Sequence, residues 1–317
     1  GHMHGTCASV GFVLRSLQEE WNAASPLLGA RRAPQAKRLP PVAAYVHERP
    51  HYFNQTMTAL SKVRGVERTS LLVVSMDSVN EEMLAVALGM KFAPLRIIFH
   101  PVRDDLIRPT PVLAIKQHWF FVQEMVWDTL SETKGMEGHL ALLEEDHIVT
   151  PDYFELMEHM ISVKEKKCHF CWGITMRWAC MHVQDTDRNK ICRSHHVINT
   201  GIIFNRTTYD LIVKSDFATF PDGWDWSLFH LAQTGQMPDM MLGPAVSRIS
   251  NIGTEGATVT MAEGADKFLQ DQLKYKADSG AQIARSAYTL ETSEMQYTPP
   301  GWEPLFVGGL GFVAALS

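Results

Sequence analysis

Short apolar runs mark the first half of the chain, and most of them end in polar or charged residues. Val42-Ala43-Ala44-Tyr45-Val46 opens onto His47-Glu48-Arg49-Pro50. Ser70-Leu71-Leu72-Val73-Val74-Ser75-Met76 ends at Asp77, and Leu95-Arg96-Ile97-Ile98-Phe99 makes a third run. Leu140-Ala141-Leu142-Leu143 then runs into Glu144-Glu145-Asp146-His147. Runs of this length, bounded by turn-forming residues, predict buried strands. Between them the period lengthens to that of a helix. Phe53, Met57, Leu60 and Val63 share one face over 51–64, and Met83, Val86, Ala87 and Met90 share one over 80–90. Residues 112–130 predict a third helix. Strand and helix in alternation predict an α/β fold, a mostly parallel Rossmann-like sheet flanked by helices. Ligands of such sheets bind outside the carboxyl ends of the strands. Three of these ends carry polar groups, at His47-Glu48-Arg49, at Asp77 and at Glu144-Glu145-Asp146-His147, so they are expected to line one crevice.

Past residue 150 the pattern is less regular. Thr150-Pro151-Asp152 predicts a helix start with a hydroxyl N-cap and proline in the first helical position, leading into a helix over 154–163. Residues 168–177 and 197–204 look strand-like, 224–232 helical and 240–252 mixed. At the other end, Phe12 to Trp21 predicts a short helix, and Ala30 to Pro41, rich in Arg, Lys, Ala and Pro, reads as a linker.

Composition narrows the function. The chain has 317 residues, 45% of them hydrophobic, enough for a sizeable core. Its formal net charge of -6 argues against a nucleic-acid partner. No apolar run reaches the roughly 18 residues of a membrane span. Gly1-His2-Met3 reads as a tag remnant, so any membrane contact is expected through a removed N-terminal anchor. Neither G-x-G-x-x-G after the first strand nor G-x-x-x-x-G-K-[ST] occurs, so neither a dinucleotide site nor a P-loop is indicated. Of five cysteines, Cys168, Cys171, Cys180 and Cys192 cluster. They allow a four-thiolate zinc site or two disulfides, and the long 180–192 spacing suits Cys168–Cys171 and Cys180–Cys192 disulfides better. Asn54-Gln55-Thr56 and Asn205-Arg206-Thr207 are N-glycosylation sequons, consistent with a secretory compartment.

Three stretches could carry chemistry. Asp146, a carboxylate at a strand end beside other carboxylates, suits a hard divalent ion, manganese or magnesium rather than zinc, that also takes phosphate oxygens. Glu144 and Glu145 would face helix N-termini or substrate. Asp225 lies between Trp224 and Trp226. Apolar neighbours raise a carboxylate's pKa and make it a better base, and tryptophan is a usual platform for a sugar ring. The competing reading is an ordinary helix cap beside two core aromatics. In Lys116-Gln117-His118-Trp119, Lys116 and His118 could face a phosphate, or belong to an ordinary amphipathic helix.

Taken in order, Tyr45-Val46-His47-Glu48-Arg49-Pro50, Ser75-Met76-Asp77, Lys116-Gln117-His118-Trp119, Leu143-Glu144-Glu145-Asp146-His147, Cys168-x-x-Cys171 and Trp224-Asp225-Trp226 resemble the N-acetylglucosaminyltransferase II family over roughly 42–253. The resemblance implies a GT-A fold in the Golgi lumen that transfers N-acetylglucosamine from UDP-GlcNAc to a terminal mannose of an N-glycan core, with inversion and β1,2 linkage. It implies a tag remnant and stem over 1–40 and one catalytic domain over 41–317. Within that domain it places a nucleotide-sugar half at 41–150, an acceptor half at 151–260 and an extension at 261–317. Val46, His47, Glu48, Arg49, Pro50, Asp77, Lys116, His118, Glu144 and Glu145 would lie around the donor. Asp146 would hold manganese, Asp225 would be the general base, and Arg177, Asn199, Trp224 and Trp226 would meet the acceptor. Cys168–Cys171 resembles a family disulfide. One departure stands out. Where the family has a histidine metal ligand, this chain has Asn251, in Arg248-Ile249-Ser250-Asn251-Ile252-Gly253. An amide oxygen binds manganese more weakly than an imidazole nitrogen. The site would then be weak, completed by His147 or water, or the chain would be a former transferase that binds UDP-sugar or glycan without turnover. A third possibility is a transferase of the same fold with another donor or acceptor.

Overall fold

The computed structural model describes residues 17–24, 27–28, 38–101, 110–179, 190–195 and 197–253, with short strands at 289–291, 305–306 and 312–313. The first half alternates as expected: β1 (Val42–Val46), α1 (Pro50–Ser61), β2 (Leu72–Met76), α2 (Glu81–Gly89), β3 (Leu95–Phe99), α3 (Pro111–Glu124) and β4 (His139–Glu144). The second half adds β5 (His147–Val149), α4 (Tyr153–Lys167), β6 (Gly173–Thr175), β7 (Lys190–Ser194), β8 (Ile202–Asn205), α5 (Arg206–Lys214), α6 (Trp224–Gln233), β9 (Met241–Pro244), β10 (Ile249–Asn251) and β11 (Thr289–Glu291). Nine strands form one mixed sheet in the order β11-β7-β9-β6-β8-β4-β1-β2-β3. β3, β2, β1 and β4 are mutually parallel, and β8 joins β4 antiparallel. This is the α/β architecture, with a Rossmann-like parallel half, that the sequence predicts.

Alternation along each strand builds two cores. Val42, Ala44 and Val46 of β1 pack with Phe53 and Met57 of α1, Met83 of α2 and Phe154 of α4 on one face. Ala43 and Tyr45 pack with Trp119 of α3, Ile212 of α5 and Leu228 of α6 on the other. The period of two sends successive side chains to opposite layers, which is why these runs are apolar throughout.

Several details differ from the sequence expectation. The short helix expected over Phe12 to Trp21 is described over 17–24, reaching three residues further, and it docks on the sheet: Trp21 Nε1 donates to the Ile97 carbonyl at 3.0 Å, and the Asn22 amide exchanges two 2.7 Å hydrogen bonds with Phe99. Leu28 bridges Leu95. These contacts cover the open edge of β3, which would otherwise offer unpaired backbone groups. Helix α4 starts two residues later than Thr150-Pro151 suggests. Its N-cap is Asp152, without a capping bond, because Thr150 Oγ1 donates to Asp152 Oδ1 and the other Asp152 oxygen takes Arg248. α3 continues into a π-helical turn over Met125–Thr129. A Cys168–Cys171 disulfide is present, and Cys192 is disulfide-bonded as well, whereas Cys180 lies outside the described residues. The 299–317 tail is described only as two paired short strands. Among the described residues, no helix is long and apolar enough to cross a membrane.

At the start of β4, His139 is buried with its Nε2 unpartnered. Burial, with Lys164 adding, pushes its pKa down to about 4 from 6.5. As pH falls below the unfolded value, the unfolded chain gains a proton that the native state refuses, so His139 costs stability until the folded pKa is reached. At about pH 5.5 this amounts to roughly 1.4 kcal/mol. His139→Leu should therefore lose less stability than the parent between about pH 7.5 and 5.5, by about that amount, in urea titrations. Equal losses in the two proteins would contradict the assignment.

Candidate active site

The crevice begins where β1 and β2 end. His47 Nδ1 faces both Asp77 oxygens at 2.8 and 2.9 Å, and this hydrogen bond holds the His47 pKa above its ordinary value. Behind them His118 Nε2 meets Ser75 Oγ at 2.8 Å, and the imidazole stacks on His100 at 5.1 Å. Burial pushes the His118 pKa down to about 3, so the ring is neutral. Its Nδ1 lies 3.8 Å from Asp77 Oδ2, so the buried ring backs that carboxylate. Val46 is buried and presents only its main chain, Glu48 is exposed, and Pro50 starts α1 directly after Arg49.

The acidic stretch follows β4. The chain turns at Glu145-Asp146 and re-enters a strand, β5, which pairs antiparallel with β10 so that Asn251 stands opposite His147. This short strand replaces the direct strand-to-helix link expected from sequence. The carboxylates divide their work. Glu145 is buried, accepts from the His47 backbone N–H and from Arg49 Nε, and so joins the ends of β1 and β4. Its carboxylate thereby positions Arg49. Glu144 Oε1 accepts from Tyr45 at 2.8 Å, and enclosure together with Asp146 raises the Glu144 pKa well above the carboxylate range. Asp146 Oδ2 pairs with Arg49 Nη2 at 2.9 Å, while Asp146 Oδ1 is buried with no hydrogen-bond partner.

That orphaned oxygen tests whether the residues suit a metal. Glu144, Asp146 and His147 offer ligand atoms within 4.8 Å of one another. His147 is ruled out by its tautomer. Its Nδ1 accepts the Glu144 backbone N–H at 3.0 Å, and burial lowers its pKa to about 4. The neutral ring therefore carries its proton on Nε2 and has no lone pair left for a cation. The expectation that His147 completes the shell is thus revised. Asn251 Oδ1 accepts from Gly253 N–H at 2.7 Å and keeps a second lone pair. A Cβ on Gly253 would press into Asp146 Oδ2 and sit 3.1 Å from both Arg49 Nη1 and Asn251 Oδ1. The hollow over Gly253 is thus walled by Asp146, Asn251 and the guanidinium of Arg49, the last already paired with Asp146 and Glu145. Together with Glu144, Asp146 and Asn251 make an all-oxygen donor set, which fits manganese or magnesium.

Asp225 sits in the first turn of α6. Its Oδ1 accepts from Trp226 N–H at 2.9 Å and its Oδ2 from Asn199 Nδ2 at 2.9 Å. Both Asp225 and Asp146 act on Glu144, so all three share one electrostatic neighbourhood. The flanking tryptophans diverge. Trp224 turns inward and stacks on Trp119 at 5.3 Å and 2°, whereas Trp226 is 43% exposed. A sugar platform at Trp224 is therefore corrected, because that ring belongs to the core. Arg177 is half-buried, burial lowers its pKa, its Nη1 reaches Thr200 Oγ1 at 3.3 Å, and its charge is felt at His147. Sequence reasoning missed Tyr45, Thr200 and Gly253. Tyr45 and Gly253 stand inside quoted motifs without an assigned role, because each of the three acts through a partner distant in the chain.

A pocket of about 540 Å³ lies between α3 and residues 217–221, with His100, the ring stacked on His118, in its wall. Lys116 forms part of its wall, donates to the Phe220 carbonyl at 2.6 Å and lies over the Phe217 ring at 4.9 Å. None of residues 144–147 lines it, so the pocket does not include the acidic cluster.

The family described as N-acetylglucosaminyltransferase II (MGAT2) matches residues 15–110 and 105–283. The alpha-1,6-mannosyl-glycoprotein 2-beta-N-acetylglucosaminyltransferase of Arabidopsis thaliana is 27% identical over 224 residues, covering 59% of this chain and 52% of that protein. The Homo sapiens protein of the same name is 23% identical over 260 residues, covering 67% and 57%. The chain thus spans about half the length of the curated relatives it matches. Among solved structures, a mannosyltransferase from Pyrobaculum calidifontis in complex with GDP-Man and Mn2+ is 11% identical with a TM-score of 0.38, covering 76% of this chain and 67% of that one. S. aureus TarS 1–349 is 10% identical with a TM-score of 0.42, covering 76% and 72%. On the extent of the family match, more than half of its length, the chain belongs to the N-acetylglucosaminyltransferase II family of glycosyltransferases.

Proposed function

We propose that residues 41–317 form a GT-A catalytic domain that transfers N-acetylglucosamine from UDP-GlcNAc to a terminal mannose of an N-glycan core in the Golgi lumen, with inversion and β1,2 linkage. The observation that carries this reading is one crevice edge holding two differently prepared carboxylates. Asp146 keeps a buried, unpartnered oxygen, and Asp225 is held by two N–H donors at the start of α6. Family membership supports it, and the relatives' names supply the linkage.

The chain's own residues divide the work as follows. His47, Asp77 and Arg49 hold the uridine side of the donor, and Lys116 lies toward the nucleotide-sugar from the α3 side. Asp225 takes the proton from the mannose hydroxyl, whose oxygen attacks the anomeric carbon from the face opposite UDP. The bond from that carbon to the diphosphate breaks, so the configuration inverts. Arg177 and Trp226 face the acceptor. Asp146, Asn251 and Glu144 would hold the divalent ion, which when bound stabilises charge on the departing diphosphate.

Manganese-dependent UDP release, measured with a panel of UDP-sugars and a mannose-terminated glycan, tests the reading. Turnover is expected with UDP-GlcNAc. Turnover with another sugar alone would point to a different donor. UDP binding without turnover would favour the binding-module reading that Asn251 raises.

Gly253→Ala probes the metal hollow. Because its Cβ would press into Asp146 Oδ2, Mn2+ affinity in the presence of UDP should fall by about tenfold to a hundredfold, the usual cost of disturbing a ligand's support. Electron paramagnetic resonance of free Mn2+ reads this out, and an unchanged affinity would move the metal elsewhere.

A further inference from the structure

The proposed base is one end of a hydrogen-bonded line that starts in a half-buried guanidinium. Arg177 Nη1 donates to Thr200 Oγ1 at 3.3 Å, which turns the hydroxyl proton away from the arginine. Thr200 Oγ1 donates to Asn199 Oδ1 at 3.4 Å. With its oxygen engaged there, Asn199 can direct only its NH2 toward Asp225, and Nδ2 meets Asp225 Oδ2 at 2.9 Å. A flipped amide would set an oxygen against the carboxylate. The line is therefore directional, with every donor pointing toward Asp225.

The loop that carries it is held against β6 and β10. Thr175 Oγ1 donates to the Thr200 carbonyl at 2.9 Å and accepts from Arg177 N–H at 3.1 Å. Gly201 follows with φ +62, where an L side chain is strained, and a Cβ there would lie 2.8 Å from Ile249. Thr200 is buried, while Asn199 is exposed at the crevice. The Asp225 carboxylate is thus gripped on one oxygen by its own helix and on the other by a loop anchored across the sheet.

We infer that Asn199 is a positioning residue, oriented by Thr200 and Arg177, that fixes the plane of the Asp225 carboxylate for proton abstraction and does not serve as an acceptor contact. The inference rests on Asp225 being the base. A base misplaced by even an ångström loses rate while the acceptor still binds.

The test is steady-state kinetics of the full chain with UDP-GlcNAc, Mn2+ and a mannose-terminated glycan. Asn199→Ala, at an exposed position that folding tolerates, should lower kcat on the order of a hundredfold, with acceptor KM within about twofold of the parent. Thr200→Val, which removes the hydroxyl, should lower kcat as well, and Thr200→Ser, which restores it, should recover most of the loss. A raised acceptor KM at unchanged kcat in Asn199→Ala would make Asn199 an acceptor contact and overturn the inference. So would equal damage from Thr200→Ser and Thr200→Val, since loop shape would then explain both. If Asp225→Asn turns over normally, the base reading itself fails. If Asp225→Asn is inactive while Asn199→Ala is normal, only the positioning role fails.

Discussion

Asp225→Asn should bind UDP and Mn2+ as the parent does and transfer almost no sugar. The substitution keeps the shape of the side chain but replaces the oxygen that accepts a proton. It also sets an amide beside the Asn199 amide, whose Nδ2 now donates to Asp225 Oδ2 at 2.9 Å. Positioned general bases contribute about 10²–10⁴ in rate, or roughly 3–5 kcal/mol of transition-state stabilisation. kcat is therefore expected to drop by about that factor while UDP affinity, measured by calorimetry, stays put. Normal UDP affinity matters because Asp225 contacts no residue of the His47, Asp77 and Arg49 group among the hydrogen bonds that hold them. A variant that kept near-normal turnover would remove Asp225 from the mechanism and leave the crevice without an identified base.

The parts of the fold legible in sequence are those set by local period. β1, β2, β3 and β4 are continuous apolar runs because both faces of each strand are buried, and α1 and α2 carry their stripes at the spacing of a helix. The acidic turn was legible as well, because charge following a buried run has few other places to go. What escaped depends on partners far along the chain. His147-Ile148-Val149 is too short to announce itself and becomes β5 only because Ile249-Ser250-Asn251 lies alongside it. The N-terminal helix docks because Trp21 and Asn22 reach the carbonyls of Ile97 and Phe99, some 76 and 77 residues away. Trp224 and Trp226 look equivalent in sequence. Only the direction of α6 decides that one stacks on Trp119 and the other faces outward. Glu145 looks like a ligand-facing acid, yet the close approach of the β1 and β4 ends gives it to Arg49 and the His47 backbone.

Arg248→Ala should be the most damaging single change to stability. Arg248 is fully buried, its Nε donates to Asp152 Oδ2 at 2.7 Å, and its Nη1 donates to the Val246 carbonyl at 2.6 Å. Its backbone extends the tie, accepting from Thr150 N–H at 3.0 Å and donating to the Met176 carbonyl at 2.8 Å. The pair therefore clamps the start of β10, which carries Asn251, against the segment that follows β5. Removing the guanidinium leaves Asp152 charged and enclosed, with only Thr150 Oγ1, among the side chains of the described residues, to answer it. Breaking a buried pair from one side costs about 3–5 kcal/mol, a large share of the roughly 5–15 kcal/mol that holds a typical domain together. Urea unfolding at neutral pH should show a loss of that size. Removing both charges separates the cause from simple loss of volume. Arg248→Met with Asp152→Leu leaves no stranded carboxylate, and apolar replacement of a buried pair is commonly neutral or stabilising. The double variant should therefore regain most of the lost stability. If it is as unstable as Arg248→Ala, packing around the arginine, and not the stranded charge, sets the cost.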